Sequence, residues 1–447
     1  MTEINFTNTL ATHCLSIGNG SIPPDIYRIA SHSLLDWIAV GRAAWKEPAL
    51  QIPLACALEE GGNPQATLLS GHKASYSQAA LLNGIASHIF DFDDVHLRSR
   101  VHPSVPLWPA ILAEGELLNA PVEQLLRAFV VGVELQSRLA FAMGEDHYKL
   151  GWHNTATLGA FGACAAVAHL KGMTATELVT ALGICGTQVA GLRISFGTMC
   201  KPLHAGKAAL TGLNSAKYAA QGFDGPANVF DEPRGIFSLY ANQYNAKIAF
   251  DKPEHPCIKD IIYKYNASCY GTQAPIEACK LLMETASFDP ANINRMDVTI
   301  EPQYLSVCCI PNPSTATEAK FSIKYMCALT LLGYSTTDSS SFELNMLSNA
   351  KIANLMAKIN IASDQLLPRA NASVKITNRD GNSLSHIFNA NSPESDMNRQ
   401  ELKIRSKALS LLNASMSSID ANKLIDAILT NKDLNVSQLM SFIPIIH

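Results

Sequence analysis

The segment "VEQLLRAFVVGVELQSRLAFAM", residues 122–143, constrains the chain more than any other. At helical spacing it shows apolar side chains on several faces, so it cannot lie on a surface with one side in water. Such a helix has to be enclosed by others, and the sequence supplies them. "PDIYRIASHSLLDWIAVGRAA" opens with Pro-Asp and carries apolar residues at helical spacing. "SYSQAALLNGIASHIFDF" is rich in Ala, Gly and Ser, which lets neighbouring helices approach closely. "TATLGAFGACAAVAHLKG" and "PLHAGKAALTGLNSAKYAAQG" each end in a Gly after Lys or Gln, a C-cap pattern. From Asp25 to about Ile261 the chain reads as helix after helix.

Near Tyr263 the texture changes. "RMDVTIEPQYL" reads as a strand, with Val298 and Ile300 alternating against polar neighbours. "SVKITNRDGNSLSHIF" reads as a hairpin around Asp380-Gly381. Between them "STATEAKFSIKYMCALTLLGY" returns to helix. The polar run "NANSPESDMNRQ" reads as a linker, and two amphipathic helices, "ELKIRSKALSLLN" and "IDANKLIDAILTN", follow it. The expected fold is mainly α: a large all-helical domain over residues 1–263 and 400–447, with a smaller α+β domain, 264–399, inserted. There is no internal repeat, no G-x-G-x-x-G after a strand and no P-loop.

Composition excludes several classes. A chain of 447 residues exceeds one ordinary core. The net charge is -4, from 34 basic and 38 acidic residues with no basic block, so nucleic-acid binding has no electrostatic footprint. The N-terminus lacks the basic-then-apolar pattern of a secretory signal, and no apolar run approaches a membrane span. The odd count of 11 cysteines reads as reduced cytosolic thiols, which places the protein in the cytoplasm. No Cys pair has zinc-like spacing, so neither a metal nor another cofactor is expected.

Against that quiet background, His88 to His102 packs three Asp, three His and two Arg into fifteen residues of a chain that is 16% charged. Ionisable groups also mark three expected helix beginnings. His102 precedes a turn and a helix starting near Pro109. His153 precedes a helix that Asn154 or Thr155 would cap. Lys201 stands just before Pro202, a residue favoured at the first helical position. Helix N-termini attract anions, so convergence of these ends would build a site for a substrate with several carboxylates. Each residue singly also fits a bland role: a solvated side chain, a cap, or, for His88, His96 and His204, a core imidazole bonded to a carbonyl. Cys200 reads as a small buried residue, and the glycines near Lys201 as close helix packing.

Taken in order, "LLNGIASHIFDFDDVH", "HPSVPLWPAILAEGE", "GWHNTATLGAFGACAAVAHLKGM", "FGTMCKPLHAGKAALTGLNSAKYAAQGF", "KYNASCYGTQAPIEA" and "ATEAKFSIKYMCAL" resemble the MmgE/PrpD family across nearly the whole chain. The resemblance implies a helical domain with an inserted α+β lid, a homodimer, and a cofactor-independent lyase acting on a small polycarboxylate. By the pattern of the family's decarboxylase branch, the site residues fall on Asp91, His102, His153 and Lys201. Val95 stands where that branch has Thr, and Gln273 where it has a lid His. Gln273 is left able to bind a carboxylate but not to shuttle a proton. The residues would support dehydration or decarboxylation through an enolate, with Lys201 and a protonated His102 as cations, His153 as base and Asp91 as their orienting partner. Epimerisation of a substituted succinate is the alternative reaction. A catalytically silent polyacid sensor is the alternative from another class. Arg98, Arg100 and Arg193 each fit either a grip on an extra carboxylate or a surface ion pair.

Overall fold

The Val122–Met143 segment forms one unbroken helix, buried along most of its length as its apolar faces require. The computed structural model describes residues 5–251, 255–285, 289–431 and 433–446. Two units emerge, Met1–Tyr263 with Glu394–His447, and Lys264–Pro393. The helices that frame the first unit are α1 (Pro24–Ala43), α2 (Tyr76–His88), α3 (Ser104–Leu118), α4 (Val122–Met143), α5 (Asn154–Leu170) and α6 (Cys200–Ala220). Strands are minor here: β1 (Val95–His96) pairs antiparallel with β2 (Ile261–Ile262).

Helix α5 is apolar all round and sits between α4, α3 and α6. Gly172 (φ 69°) and Gly222 (φ 88°) take the left-handed conformation just past α5 and α6, as the C-cap reading expects. Helix α6 crosses α2 at Gly206 and Gly84. A Cβ at Gly206 would lie 2.2 Å from the Leu81 carbonyl oxygen, and one at Gly84 would lie 2.7 Å from the Gly206 Cα. The helices therefore touch backbone to backbone.

Helix α3 begins at Ser104, well before the expected Pro109, which lies inside it. The cause is a cap from elsewhere: the Asp94 carboxyl accepts from the Ser104 N–H at 3.1 Å and meets the Ser104 hydroxyl at 2.6 Å. Two further starts differ from expectation. The N-cap of α5 is His153, and Pro202 is the third residue of α6.

In the second unit, α7 (Tyr270–Thr285) packs on a four-stranded sheet. The strands are β3 (Ile293–Ile300), β4 (Ile359–Ser363), β5 (Asn371–Asn378) and β6 (Ser383–Asn389), in the order β4-β3-β5-β6. Only β4 and β3 run parallel. Val298 lies opposite Val374 and Ile361, so burial alternates along β3 as the sequence indicates. Gly381 (φ 83°) turns the β5–β6 hairpin. The helix expected over "STATEAKFSIKYMCALTLLGY" is two, Ala316–Lys320 and Ile323–Leu331. They part because Ser322 caps the second while its hydroxyl donates to the Ile310 carbonyl.

The chain returns to the first unit through α8 (Met397–Leu412), whose first turn is capped by Asp396. Helix α8 packs on α1. From it the buried Lys407 reaches Asp36 at 2.6 Å and the Phe92 carbonyl at 2.6 Å. A charged pair in such surroundings persists only when its partners are in place.

Replacing Gly206 by Ala should lower stability by about 1–3 kcal/mol, because the added carbon meets backbone rather than a movable side chain. A urea unfolding midpoint equal to wild type would show that the α2–α6 crossing has slack.

Candidate active site

The α2–α6 crossing brings the C-terminal end of α2, with His88, beside the N-terminal turn of α6, with Lys201. Between α2 and β1 the chain passes Asp91, which is in the left-handed region at φ 51°, a conformation Asp tolerates better than most residues. There its carboxylate stands 2.8 Å from the Lys201 ammonium and 3.7 Å from His102 Nε2. His102 itself is fastened from α5: the Thr155 hydroxyl accepts from its N–H at 3.1 Å, and the Asn154 amide donates to the Ser99 carbonyl at 2.8 Å. These two bonds are why neither Asn154 nor Thr155 serves as the cap expected of it. They tie the acidic loop to the start of the helix that carries His153. Thus Asp91, His102, His153 and Lys201 all lie in one cluster of the first unit. The ring of His88 lies 4.7 Å from that of His102 and 5.9 Å from that of His153.

The three aspartates of "DFDD" have three different states. Asp91 is partly exposed and ion-paired. Asp93 is fully buried and bonded to His102 Nδ1 at 2.7 Å and His88 Nδ1 at 3.0 Å. Burial alone would raise its pKa, but the two imidazoles outweigh that and hold it well below the usual carboxylate range. Burial pushes Asp94 up to about 8, so it stays protonated at neutral pH.

His153 is held well below the usual imidazole value, first by burial and then by neighbouring His88 and Lys201. It is therefore held in the neutral form, with burial the main cause. Its Nδ1 lies 3.1 Å from His204 Nδ1, and the Phe196 ring packs edge-on at 5.0 Å. Neutral His153 and charged Lys201 together offer a proton acceptor next to a fixed positive charge. The cluster can thus abstract a proton from carbon and hold the negative charge left behind.

His88, Asp93 and His204 are the residues that local sequence passes over. His88 and His204 bond other site residues rather than backbone carbonyls; for His204 the signal was its three-residue spacing from Lys201 on one helix face. His96 does hold a carbonyl, that of Cys257, at 2.9 Å. Cys200 is exposed, not buried, because α6 starts at it on the surface. Gln273 belongs to the second unit, where its amide donates to the Asn266 and Ser268 carbonyls, both at 3.0 Å. Its hydrogens are committed there. Val95 sits in β1 opposite Ile262. Arg98 stacks on Phe141 and pairs with Asp260, Arg100 pairs with Glu145, and Arg193 stacks on Tyr148.

His88, Asp91, Asp93 and His102 place ligand-type atoms within 4.8 Å of one another, which is spacing compatible with a cation. The carboxylates already have cationic or N–H partners, Lys201 at Asp91 and two imidazoles at Asp93. Among the described residues no helix is long and apolar enough to cross a membrane.

Compared with known proteins, residues 8–249 match the MmgE/PrpD N-terminal domain and residues 266–432 match the MmgE/PrpD C-terminal domain. A cis-aconitate decarboxylase-like protein of Aspergillus oryzae is 29% identical over 387 residues, 80% of this chain and 79% of that protein. The cis-aconitate decarboxylase of Homo sapiens is 29% identical over 298 residues, 63% of this chain and 60% of that protein. That of Aspergillus terreus is 26% identical over 347 residues, 71% of this chain and 70% of that protein.

Burial pushes His32, His88, His96, His147 and His169 down to about 4. Unfolded imidazoles take a proton near pH 6.5, and these do so in the folded chain only near pH 4. Their contribution to stability is therefore present above pH 6.5 and lost as pH falls toward 4. Urea midpoints measured from pH 8 to pH 4 should hold until about pH 6.5 and then drop. A flat profile over that window would mean these histidines are not buried in the neutral form.

Proposed function

Since the chain belongs to the MmgE/PrpD family, we propose that it is a lyase that dehydrates or decarboxylates a small di- or tricarboxylic acid through an enolate next to a carboxylate. The observation that carries this reading is the neutral imidazole of His153 held in one cluster with the Lys201 ammonium. A carboxylate is a poor electron sink, so fixed positive charge must stand where negative charge develops. Lys201 supplies it, steadied by Asp91 at 2.8 Å.

In dehydration, His153 takes the proton from the carbon beside the carboxylate. The carbon–oxygen bond then breaks, and a proton from His102 lets the oxygen leave as water. In decarboxylation the carbon–carbon bond breaks and carbon dioxide leaves. The electron pair stays on the substrate as an enolate beside Lys201 until His102 protonates the carbon. For His153 to present a lone pair at Nε2, its Nδ1–H donates to His204 Nδ1, the 3.1 Å contact described above. The relatives named as cis-aconitate decarboxylases support the lyase class. Gln273, in place of an acid–base histidine, weakens the case for decarboxylation of cis-aconitate itself relative to what family membership alone suggests.

Epimerisation of a substituted succinate is the second reading, favoured by two separate imidazoles, His102 and His153, one to take a proton and one to return it. Proton NMR in D₂O with cis-aconitate, 2-methylcitrate, citrate, malate derivatives and amino- or imino-succinates separates these reactions. New vinylic signals or loss of a carboxylate mark the lyase, and deuterium at carbon without breakdown marks the epimerase. Ligand-raised melting without turnover would instead make the chain a polyacid sensor. Lys201→Ala should lower kcat/KM by about 10²- to 10³-fold, with circular dichroism unchanged. Unchanged turnover would refute the assignment.

A further inference from the structure

Asp93 shows no direct line to solvent, yet both its carboxylate oxygens meet imidazoles of the cluster. Its side chain is fully buried, with one carboxylate oxygen 2.7 Å from His102 Nδ1 and both oxygens within 3.1 Å of His88 Nδ1. An ionised carboxylate only accepts hydrogen bonds, so each of these nitrogens has to carry a hydrogen. That fixes both imidazoles in the Nδ1–H form. Nε2 of His102, the atom 3.7 Å from Asp91, is then the nitrogen left for chemistry. His88 Nε2 is buried without a hydrogen-bond partner among the described residues, as an unprotonated ring nitrogen in that tautomer would be.

We propose that Asp93, braced by His88, is the positioning residue of this site: it sets the tautomer and ring orientation of His102 and does not itself touch substrate. The second imidazole has a definite purpose. A buried carboxylate with one donor would tend to take the proton from its partner, and a second N–H keeps Asp93 an acceptor for both. The same logic orients catalytic histidines in other enzymes, where replacing the acid by its amide costs activity through the wrong tautomer. The inference rests on the reading of His102 as a site residue.

The test is nitrogen-15 NMR of the histidine side chains in the full chain, with His102 assigned by comparison with His102→Gln. In the wild-type protein the neutral form of His102 is expected to carry its hydrogen on Nδ1, with a second on Nε2 only in the charged form that gives a proton to substrate. Asp93→Asn offers one acceptor and one donor where there were two acceptors, so one of the two imidazoles must move its proton to Nε2. With that change kcat should fall by about 10²- to 10⁴-fold, while KM changes by less than about threefold. His88→Asn, which returns an N–H near the position of Nδ1–H, should recover about tenfold in kcat relative to His88→Leu. A purely structural Asp93 would alter stability and leave the tautomer and the kcat-to-KM split alone. Neutral wild-type His102 carrying its hydrogen on Nε2, or Asp93→Asn with unchanged kcat, would overturn the proposal. Should Asp93→Asn fail to fold, the wild-type spectrum and the His88 pair still decide it. The tautomer is read without substrate, so an Nδ1–H His102 in a protein that turns over no polycarboxylate would support the Asp93 assignment while sinking the proposed reaction.

Discussion

Two helices that meet at bare backbone hold this site together. At the Gly84–Gly206 crossing neither chain has room for a methyl group. Bulkier residues there would separate the end of α2 from the beginning of α6. His88 lies four residues beyond one glycine and Lys201 five residues before the other. The crossing is thus about one turn from the cluster on each helix. A small shift of the helix pair would be felt directly as a change in the Lys201–Asp91 and His88–Asp93 distances.

Around that crossing the protein solves the same electrostatic problem in three ways within four residues. A carboxyl removed from water must lose its charge, pair it, or surround it with donors. Asp94 does the first, Asp91 the second and Asp93 the third. The outcome is a graded set of acids made from one residue type. What distinguishes them is which helix each side chain turns toward: α3 for Asp94, α6 for Asp91, and the imidazoles of His88 and His102 for Asp93.

Periodicity made the architecture legible. The enclosed α4 follows from its apolar faces, and the β5–β6 hairpin from Asp380-Gly381. Local pattern failed where a cap or a bond came from far along the chain. Asp94 starts α3 earlier than Pro109 suggested, and Thr155 is spent on His102 instead of capping α5. The four residues taken from the family's pattern do gather in one unit, whereas the amide of Gln273 is engaged inside the other. His88 and Asp93 were hidden for a plain reason: a His and an Asp five residues apart look like ordinary helix-end chemistry until the tertiary structure closes them around a third group.

Lys407 gives the loop a history as well as an anchor. Its ammonium meets Asp36 and the carbonyl of Phe92 in the buried layer beneath the acidic stretch. Asp36 and Lys407 are 407 − 36 = 371 residues apart. At the ordinary pace of synthesis, Lys407 leaves the ribosome roughly 20–70 s after Asp36. The amino-terminal helices can assemble in that interval, but the floor of the acidic loop lacks its ammonium until α8 arrives. The Phe92 end of the acidic loop therefore waits for α8, while its other ties, Thr155 to His102 and Asp94 to Ser104, need only residues made earlier.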